Sequence, residues 1–253
     1  MTNQRIKNIS CVIIVKNAES TINEVLEAIT LFDDVVVYSN DSTDKTDEIA
    51  ERHKNVNLIQ DIFLGFGPTK NKAASYAKND WILSLDADEV LSQEFIQNLS
   101  NEILNDKTIY TILRKNFYKK THIKHCWGND IIPRIYNRTT TSFTDKKVHE
   151  KIIDDNFTLK QIDGSMEHYP YATISDFITK LDRYSTIYAN DNVGKKNSSP
   201  LKAISNGIFS FIKTYFLKRG FLDGYAGLII AFSHMATNFY KYMKLYEKNI
   251  ELH

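Results

Sequence analysis

The stretch Asp80-Trp81-Ile82-Leu83-Ser84-Leu85-Asp86-Ala87-Asp88-Glu89-Val90 decides how the rest of the chain is read. An apolar run from Trp81 to Leu85 ends in three carboxylates, Asp86, Asp88 and Glu89. A run this short and apolar reads as a buried strand rather than a helix. Ionised carboxylates are costly in such surroundings unless a cation compensates them, so they are expected to emerge at the strand end. On an extended backbone Asp86 and Asp88 share parity and point the same way. Two hard oxygen ligands at one strand end suit Mg²⁺ or Mn²⁺, and such an ion in turn holds a diphosphate. Taken alone, Asp-x-Asp also describes a solvated turn, and the neighbouring segments decide between the two.

Working back toward the N-terminus, Ile9 to Val15 is a β-branched run that reads as a buried strand, broken by Lys16-Asn17-Ala18-Glu19-Ser20. A helix follows to about Thr30, with Ile22, Val25, Leu26 and Ile29 on one face. Val35 to Tyr38 is a second strand, and the polar turn from Ser39 to Asp44 caps a helix running to about His53. Val56 to Gln60 is a third strand, and Gly65-Phe66-Gly67-Pro68-Thr69 opens a helix to about Lys78, with Pro68 tolerated in its first turn. Alternation of strand and helix predicts an α/β fold with a right-handed βαβ array and a mainly parallel sheet. In such sheets ligands bind outside the carboxyl ends of the strands. Asn17 and Glu19, the Ser39–Asp41 turn, and Asp86 with Asp88 are therefore expected to line one crevice. Lys70 and Lys72 add positive charge beside a phosphate there, or are surface lysines.

Beyond the quoted stretch, a helix is expected from about Ser92 to Leu104 and strands over Thr108 to Leu113 and Ile131 to Tyr136. From Ile174 the spacing becomes helical, with Phe177, Ile178, Leu181, Tyr184 and Tyr188 on one face, broken at Asn197-Ser198-Ser199-Pro200. The chain thus divides into residues 1–170 and a C-terminal helical region, 171–253. No internal repeat or low-complexity segment interrupts it.

Composition is that of an ordinary globular chain: 253 residues, 42% hydrophobic, 25% charged and a net charge of +1. Nucleic acid is not an expected partner at that charge. Cys11 and Cys126 have neither metal-ligand spacing nor a disulfide pattern. The start of the chain does not read as a signal peptide, and no run reaches the ~18 apolar residues that span a bilayer. A cytoplasmic location is expected. Between Asn192 and Leu222 stand Lys195, Lys196, Lys202, Lys213, Lys218 and Arg219 with no acid, interleaved with Ile208, Phe209, Phe211, Ile212, Tyr215, Phe216 and Leu217. Such a segment lies on an anionic membrane surface, lysines to the headgroups, or else packs as the core of a small helical domain.

Taken together, Asn17-Ala18-Glu19, Ser42-Thr43-Asp44-Lys45-Thr46, Lys70-Asn71-x-Ala73 and Leu85-Asp86-Ala87-Asp88-Glu89 resemble family 2 glycosyltransferases of the GT-A fold. Trp127-x-x-Asp130-x-x-x-Arg134-Ile135-Tyr136, Val148-His149-Glu150 and Gly220-Phe221-Leu222-Asp223-Gly224 resemble, within that family, the bacterial lipopolysaccharide-core β-1,4-glucosyltransferases. The likeness runs over nearly the whole chain. It implies a UDP-sugar donor, glucose first, a lipid-linked glycan acceptor, a divalent metal and a peripheral position at the inner face of the cytoplasmic membrane. Asp88 and Asp86, with His149, are the implied metal residues; Asn17, Glu19, Ser39, Asp41, Lys70, Asn71, Asp86 and Arg134 are the implied donor contacts. Where the family has Asp-Ser-Gly-Ser-Thr-Asp, this chain has Ser39-Asn40-Asp41-Ser42-Thr43-Asp44: either Asp41 takes over the nucleoside contact or that contact differs. An inverting transfer calls for one carboxylate as general base, and the candidates are Glu150, which matches the family motif, and Asp130. Glu150 is otherwise a surface acid paired with Lys147 or Lys151. Trp127 stacks on a sugar or belongs to the core; Arg134 binds phosphate or pairs with Asp130.

Two other classes compete. Asp86-Ala87-Asp88-Glu89-Val90 also fits Asp-x-Asp-x-Val, the nucleophile motif of haloacid-dehalogenase-type phosphotransferases. There it ends the first strand, whereas here it ends the fourth. The non-enzymatic alternative is a nucleotide-binding or membrane adaptor whose acidic turn is solvated loop. A protein or another glycan as acceptor is a further alternative within the glycosyltransferase reading.

Overall fold

The computed structural model describes residues 6–146 and 150–252. The chain forms two compact units, one of Met1–Arg114 with Asp130–His168 and one of Lys115–Asn129 with Tyr169–His253.

The first unit opens with the expected alternation: β1 (Ile6–Val15), α1 (Ile22–Ala28), β2 (Phe32–Ser39), α2 (Thr46–Glu51), β3 (Val56–Gln60), α3 (Phe66–Ser75) and β4 (Trp81–Asp86). β1 pairs in parallel with β2 and β4, and β2 with β3, giving the order β3-β2-β1-β4. The central parts of β1, β2 and β4 read as apolar runs because both faces are covered. Cys11, Ile13, Val15, Val35, Val37, Leu83 and Leu85 face one core, whereas Val12, Val36, Tyr38 and Ile82 face the other. The helix α1 closes the first core, and Ala73 and Ala74 of α3 lie in the second.

After β4 the sheet becomes mixed. β5 (Glu89–Leu91) is followed by α4 (Gln93–Asn101), β6 (Thr108–Tyr118), the short β7 (Thr121–His122) that pairs with β6, β8 (Asn129–Asn137) and β9 (Thr158–His168). Beyond β4 the order is β8-β6-β9-β5; β8 runs antiparallel to β4, and β9 antiparallel to β5. Neither β5 nor β9 was expected. β9 is polar, with only Ile162, Ser165 and Met166 buried, and it lacks the apolar alternation that marks a strand. Gly164 shows how closely it is seated: at φ 109°, an added Cβ would stand 2.5 Å from the Phe95 backbone of α4.

The second unit is helical: α5 (Ile174–Asn192), α6 (Pro200–Ile212), a π turn over Lys213–Leu217, a 3-10 turn over Gly220–Asp223 and α7 (Gly224–Ile250). Thr173 and Asp176 cap α5 reciprocally, and Ser199 caps α6 ahead of Pro200 in its first turn. The 3-10 turn packs tightly on α7, where a Cβ at Gly227 would lie 1.8 Å from the Gly220 carbonyl oxygen. No helix of the described residues is long and apolar enough to cross a membrane.

Candidate active site

Strand register brings the polar loops together. Val15 of β1 is level with Ser39 of β2, and Ile14 with Asp86 of β4, so the three strands end side by side. The first two loops are pinned to each other. Asn17, at φ 52°, accepts on Oδ1 from the Thr43 amide at 2.7 Å, and Ser42 Oγ accepts from the Asn17 amide. Glu19 accepts from the Lys45 amide at 3.2 Å while its own amide donates to Asp44. Ser39 is fully buried and donates to Asp47 Oδ1 at 2.6 Å. Asn17, Glu19 and Ser39 therefore shape the rim, whereas Asp41 stands exposed at its tip in a left-handed backbone conformation (φ 52°). Asn71 acts similarly, its amide taking the Phe143 N–H at 2.9 Å and donating to the Phe143 carbonyl at 2.9 Å.

At the β4 end the expected parity does not apply. Extended backbone stops at Asp86, the chain turns over Ala87-Asp88, and β5 begins at Glu89. Asp86 Oδ1 is 3.0 Å from Lys70 Nζ and Asp86 Oδ2 is 2.9 Å from Arg134 Nη2. Burial works to raise its pKa, but Lys70 and Arg134 outweigh that and hold the carboxyl well below its usual range. Lys70, itself buried, also reaches Glu150 Oε1 at 3.1 Å, so among the described residues Glu150 pairs with Lys70, whereas Lys151 pairs with Asp154 and Lys147 lies outside the described residues. Lys72 pairs with Asp61 at 2.6 Å.

Arg134 does not pair with Asp130. It bonds Asp86 and the fully buried Glu89, whose other oxygen accepts from the Asp86 amide at 3.1 Å and so fixes the turn. Burial raises the Glu89 pKa against the pull of Arg134. Asp130 instead meets Arg114 at 3.0 Å, and Arg114 lies 3.6 Å from Glu89. A continuous chain of alternating charge thus runs from Glu150 through Lys70, Asp86, Arg134, Glu89 and Arg114 to Asp130. Arg114 Nε and Arg134 Nε are buried without a hydrogen-bond partner among the described residues. Glu89, Arg114 and His168 received no role from sequence. The available signal was an acid directly followed by the apolar pair Val90-Leu91, which once buried requires a cation nearby.

Asp88 lies beside His168, with Oδ2 3.7 Å from Nε2. Burial holds the His168 pKa at about 4, so its imidazole is neutral at physiological pH. His149 and Val148 lie outside the described residues. No three His, Cys, Asp or Glu side chains form a metal cluster among the described residues. A Mg²⁺ or Mn²⁺ ion that keeps waters and binds substrate phosphates needs only one or two protein ligands. Asp88, with a neutral imidazole beside it, fits that requirement. Asp86, whose two oxygens already carry Lys70 and Arg134, organises the turn.

In the second unit, Trp127 is stacked 5.7 Å from Tyr171, which in turn lies parallel to Phe177 at 3.8 Å, so the indole is part of a core. Asp223 of the Gly-Phe-Leu-Asp-Gly motif accepts from the amides of Lys124, His125 and Cys126 and contacts His125 Nδ1 at 2.8 Å. Burial opposes its ionisation, but these donors pull the pKa down.

The family model described as Glycosyl transferase family 2 matches residues 10–164. An uncharacterised glycosyltransferase of Rickettsia prowazekii is 30% identical, the match covering 97% of this chain and 89% of the relative. The lipopolysaccharide core biosynthesis glycosyltransferase LpsC of Rhizobium meliloti is 23% identical over 95% of this chain and 93% of its own. Among solved structures, S. aureus TarS in complex with UDP is 15% identical and covers 97% of this chain and 92% of its own, at a TM-score of 0.47.

Proposed function

The chain belongs to glycosyl transferase family 2, and we propose that it is an inverting, metal-dependent hexosyltransferase. Its donor is a UDP-sugar, UDP-glucose first, and its acceptor is a sugar of a lipopolysaccharide or lipooligosaccharide core carried on the cytoplasmic face of the membrane. The observation that carries this reading is the single Lys70 ammonium held between Glu150 and Asp86, the latter two residues before Asp88. It ties a candidate base to the turn that would receive the diphosphate. The likeness to LpsC supports the acceptor class.

In the reaction the acceptor hydroxyl oxygen bonds to the anomeric carbon from the face opposite the diphosphate. The bond from that carbon to the phosphate oxygen breaks, and UDP leaves with the electron pair. Glu150 takes the hydroxyl proton, and Lys70 holds its carboxylate in place. Asp88, with His168, would hold a Mg²⁺ or Mn²⁺ ion, which when bound offsets the charge growing on the diphosphate. Asp86 and Glu89 keep the turn and Arg134 in register, and Asp41 at the exposed rim is the candidate contact for the nucleoside.

The test is a UDP-release assay with a panel of UDP-sugars, a core oligosaccharide acceptor and Mn²⁺, with and without EDTA. Acceptor-dependent release from UDP-glucose, abolished by EDTA, and an inverted anomeric centre by NMR are expected. Retained configuration or full activity in EDTA would overturn the mechanism.

A further inference from the structure

The second unit gathers cations that its own carboxylates do not match. Lys196 Nζ and Lys241 Nζ lie 5.5 and 4.5 Å from the centre of the Tyr188 ring, and Lys241 Nζ and Lys202 Nζ lie 5.0 and 5.5 Å from that of Tyr242. The two rings meet edge to face at 5.7 Å. Three ammonium groups therefore surround one aromatic pair. Among the described residues none of the three meets a carboxylate; Lys202 Nζ donates to the Asn197 carbonyl at 2.9 Å, and the nearby Asp182 is bonded to Lys244 at 2.6 Å. Burial and the charge of Lys196 both push the Lys241 pKa down. Like charges drawn together without a counter-ion are unfavourable, and a bound anion relieves them. Lys202 also sits in the first turn of α6, where the helix dipole favours a negative charge.

A second observation comes from the same helix. Leu201, Ile204, Ile208 and Ile212 form one stripe, 76, 47, 52 and 41% exposed, while the buried side of α6 consists of Ala203 and Gly207. The helix turns small residues inward and large aliphatic ones outward, the reverse of a helix that serves a core. Phe216 and Leu217 continue the exposed apolar surface into the π turn, at 55 and 69%. An exposed apolar patch of this kind marks an interaction surface.

We propose that Lys196, Lys202 and Lys241 bind the phosphate of an anionic phospholipid headgroup while the Leu201–Ile212 stripe of α6 lies in the acyl boundary of the bilayer. A free phosphate would use the lysines but leave the stripe bare. A second copy of the chain would bring a basic, acid-free segment against itself across a twofold axis, setting like charge on like charge. A lipid surface meets both features at once, as expected of an interfacial helix. The inference deepens the membrane part of the proposed function. Its test reads lipid binding alone, so a failure here leaves the transferase reading intact.

The experiment is co-sedimentation of the full chain with vesicles of phosphatidylcholine, with and without phosphatidylglycerol, at low and high salt. Binding to the anionic vesicles at low salt, weakened by salt, is expected. Lys241→Gln and Lys196→Gln should each lower the partition coefficient about fivefold, Lys241→Arg should retain it, and Ile208→Ser should lower it as well. Lys54→Gln, an equal change of charge at an exposed site in the first unit, should have little effect. Melting curves of each variant establish that it is folded. The proposal fails if anionic vesicles are not bound, or if Lys54→Gln weakens binding as much as Lys241→Gln. It also fails if calorimetry shows Lys241-dependent binding of inorganic phosphate without vesicle binding, or if Ile208→Ser dissociates a dimer formed without lipid.

Discussion

Lys70 Nζ stands 3.1 Å from Glu150 Oε1, an ion pair between a helix early in the chain and a segment far beyond it. Because Lys70 is buried and shared with Asp86, the position of the Glu150 carboxylate is set by the same group that steadies the Asp86–Asp88 turn. If this carboxylate is the proposed base, its function should depend on its charge more than on its shape.

Glu150→Gln keeps the shape and removes proton affinity. Turnover should fall about 10²–10⁴-fold with donor affinity nearly unchanged. Asp130→Asn, whose carboxylate meets Arg114 instead, should lower turnover far less. Single-turnover rates and calorimetric UDP binding separate the two, and the reverse ranking would assign the base to Asp130.

Lys70→Met leaves Glu150 without its cation and Asp86 with Arg134 alone. Breaking a buried pair by removing one partner costs about 3–5 kcal/mol. Because Glu150 is partly exposed and Asp86 keeps a second partner, about 2–3 kcal/mol is expected. The melting temperature should fall by several degrees, whereas Lys54→Met should leave it unchanged. An unchanged melt for Lys70→Met would show that the pair adds nothing to stability.

Asp88→Asn removes one charge at the turn while the network from Lys70 to Arg114 stays whole. UDP affinity in Mn²⁺ should drop about tenfold or more, to the level wild type shows in EDTA, with the melting temperature unchanged. Equal affinity of both proteins in Mn²⁺ would remove Asp88 from the metal assignment.

His234 gives a pH signature. Burial, helped by the charge of Lys218, holds its pKa at about 4 against an ordinary 6.5, and its Nδ1 lies 3.0 Å from Thr214 Oγ1. Between those values the unfolded chain binds a proton that the folded chain refuses. Stability is therefore complete above about pH 6.5 and declines toward pH 4, by about 3 kcal/mol at most. Urea titrations across this window should show a shallower decline for His234→Gln than for wild type. Identical slopes would contradict the assignment.

The parallel half of the sheet was legible because β1, β2 and β4 are apolar on both faces, so their runs admit few other readings. β9 was not: its polar sequence becomes a strand only because α4 and β5 pack against it, a tertiary contact that local pattern does not carry. The carboxylate cluster was legible as a site, but its wiring was not. From sequence Arg134 was open between a phosphate and Asp130, and parity suggested Asp86 aligned with Asp88. The turn at Ala87 and the buried Glu89 redirect both, because a buried acid must be met before any exposed one. The aromatics after Ile208 were open between core and surface. Phe211 packs against Phe232 at 5.0 Å, whereas Phe209, Phe216 and Leu217 remain outside.

Gly67 lets α3 touch the chain that leads to Glu150: a Cβ there would lie 1.8 Å from the Thr144 carbonyl oxygen, and the Asn71 amide clasps both polar groups of Phe143. The helix and residues 143–146 are in this way a single mechanical piece. Lys70 rides on it, so a displacement of that segment would draw the ammonium away from Asp86 as well. Loosening residues 143–146 would then slacken the grip on the Asp86 turn, and one glycine would set how far either can move alone.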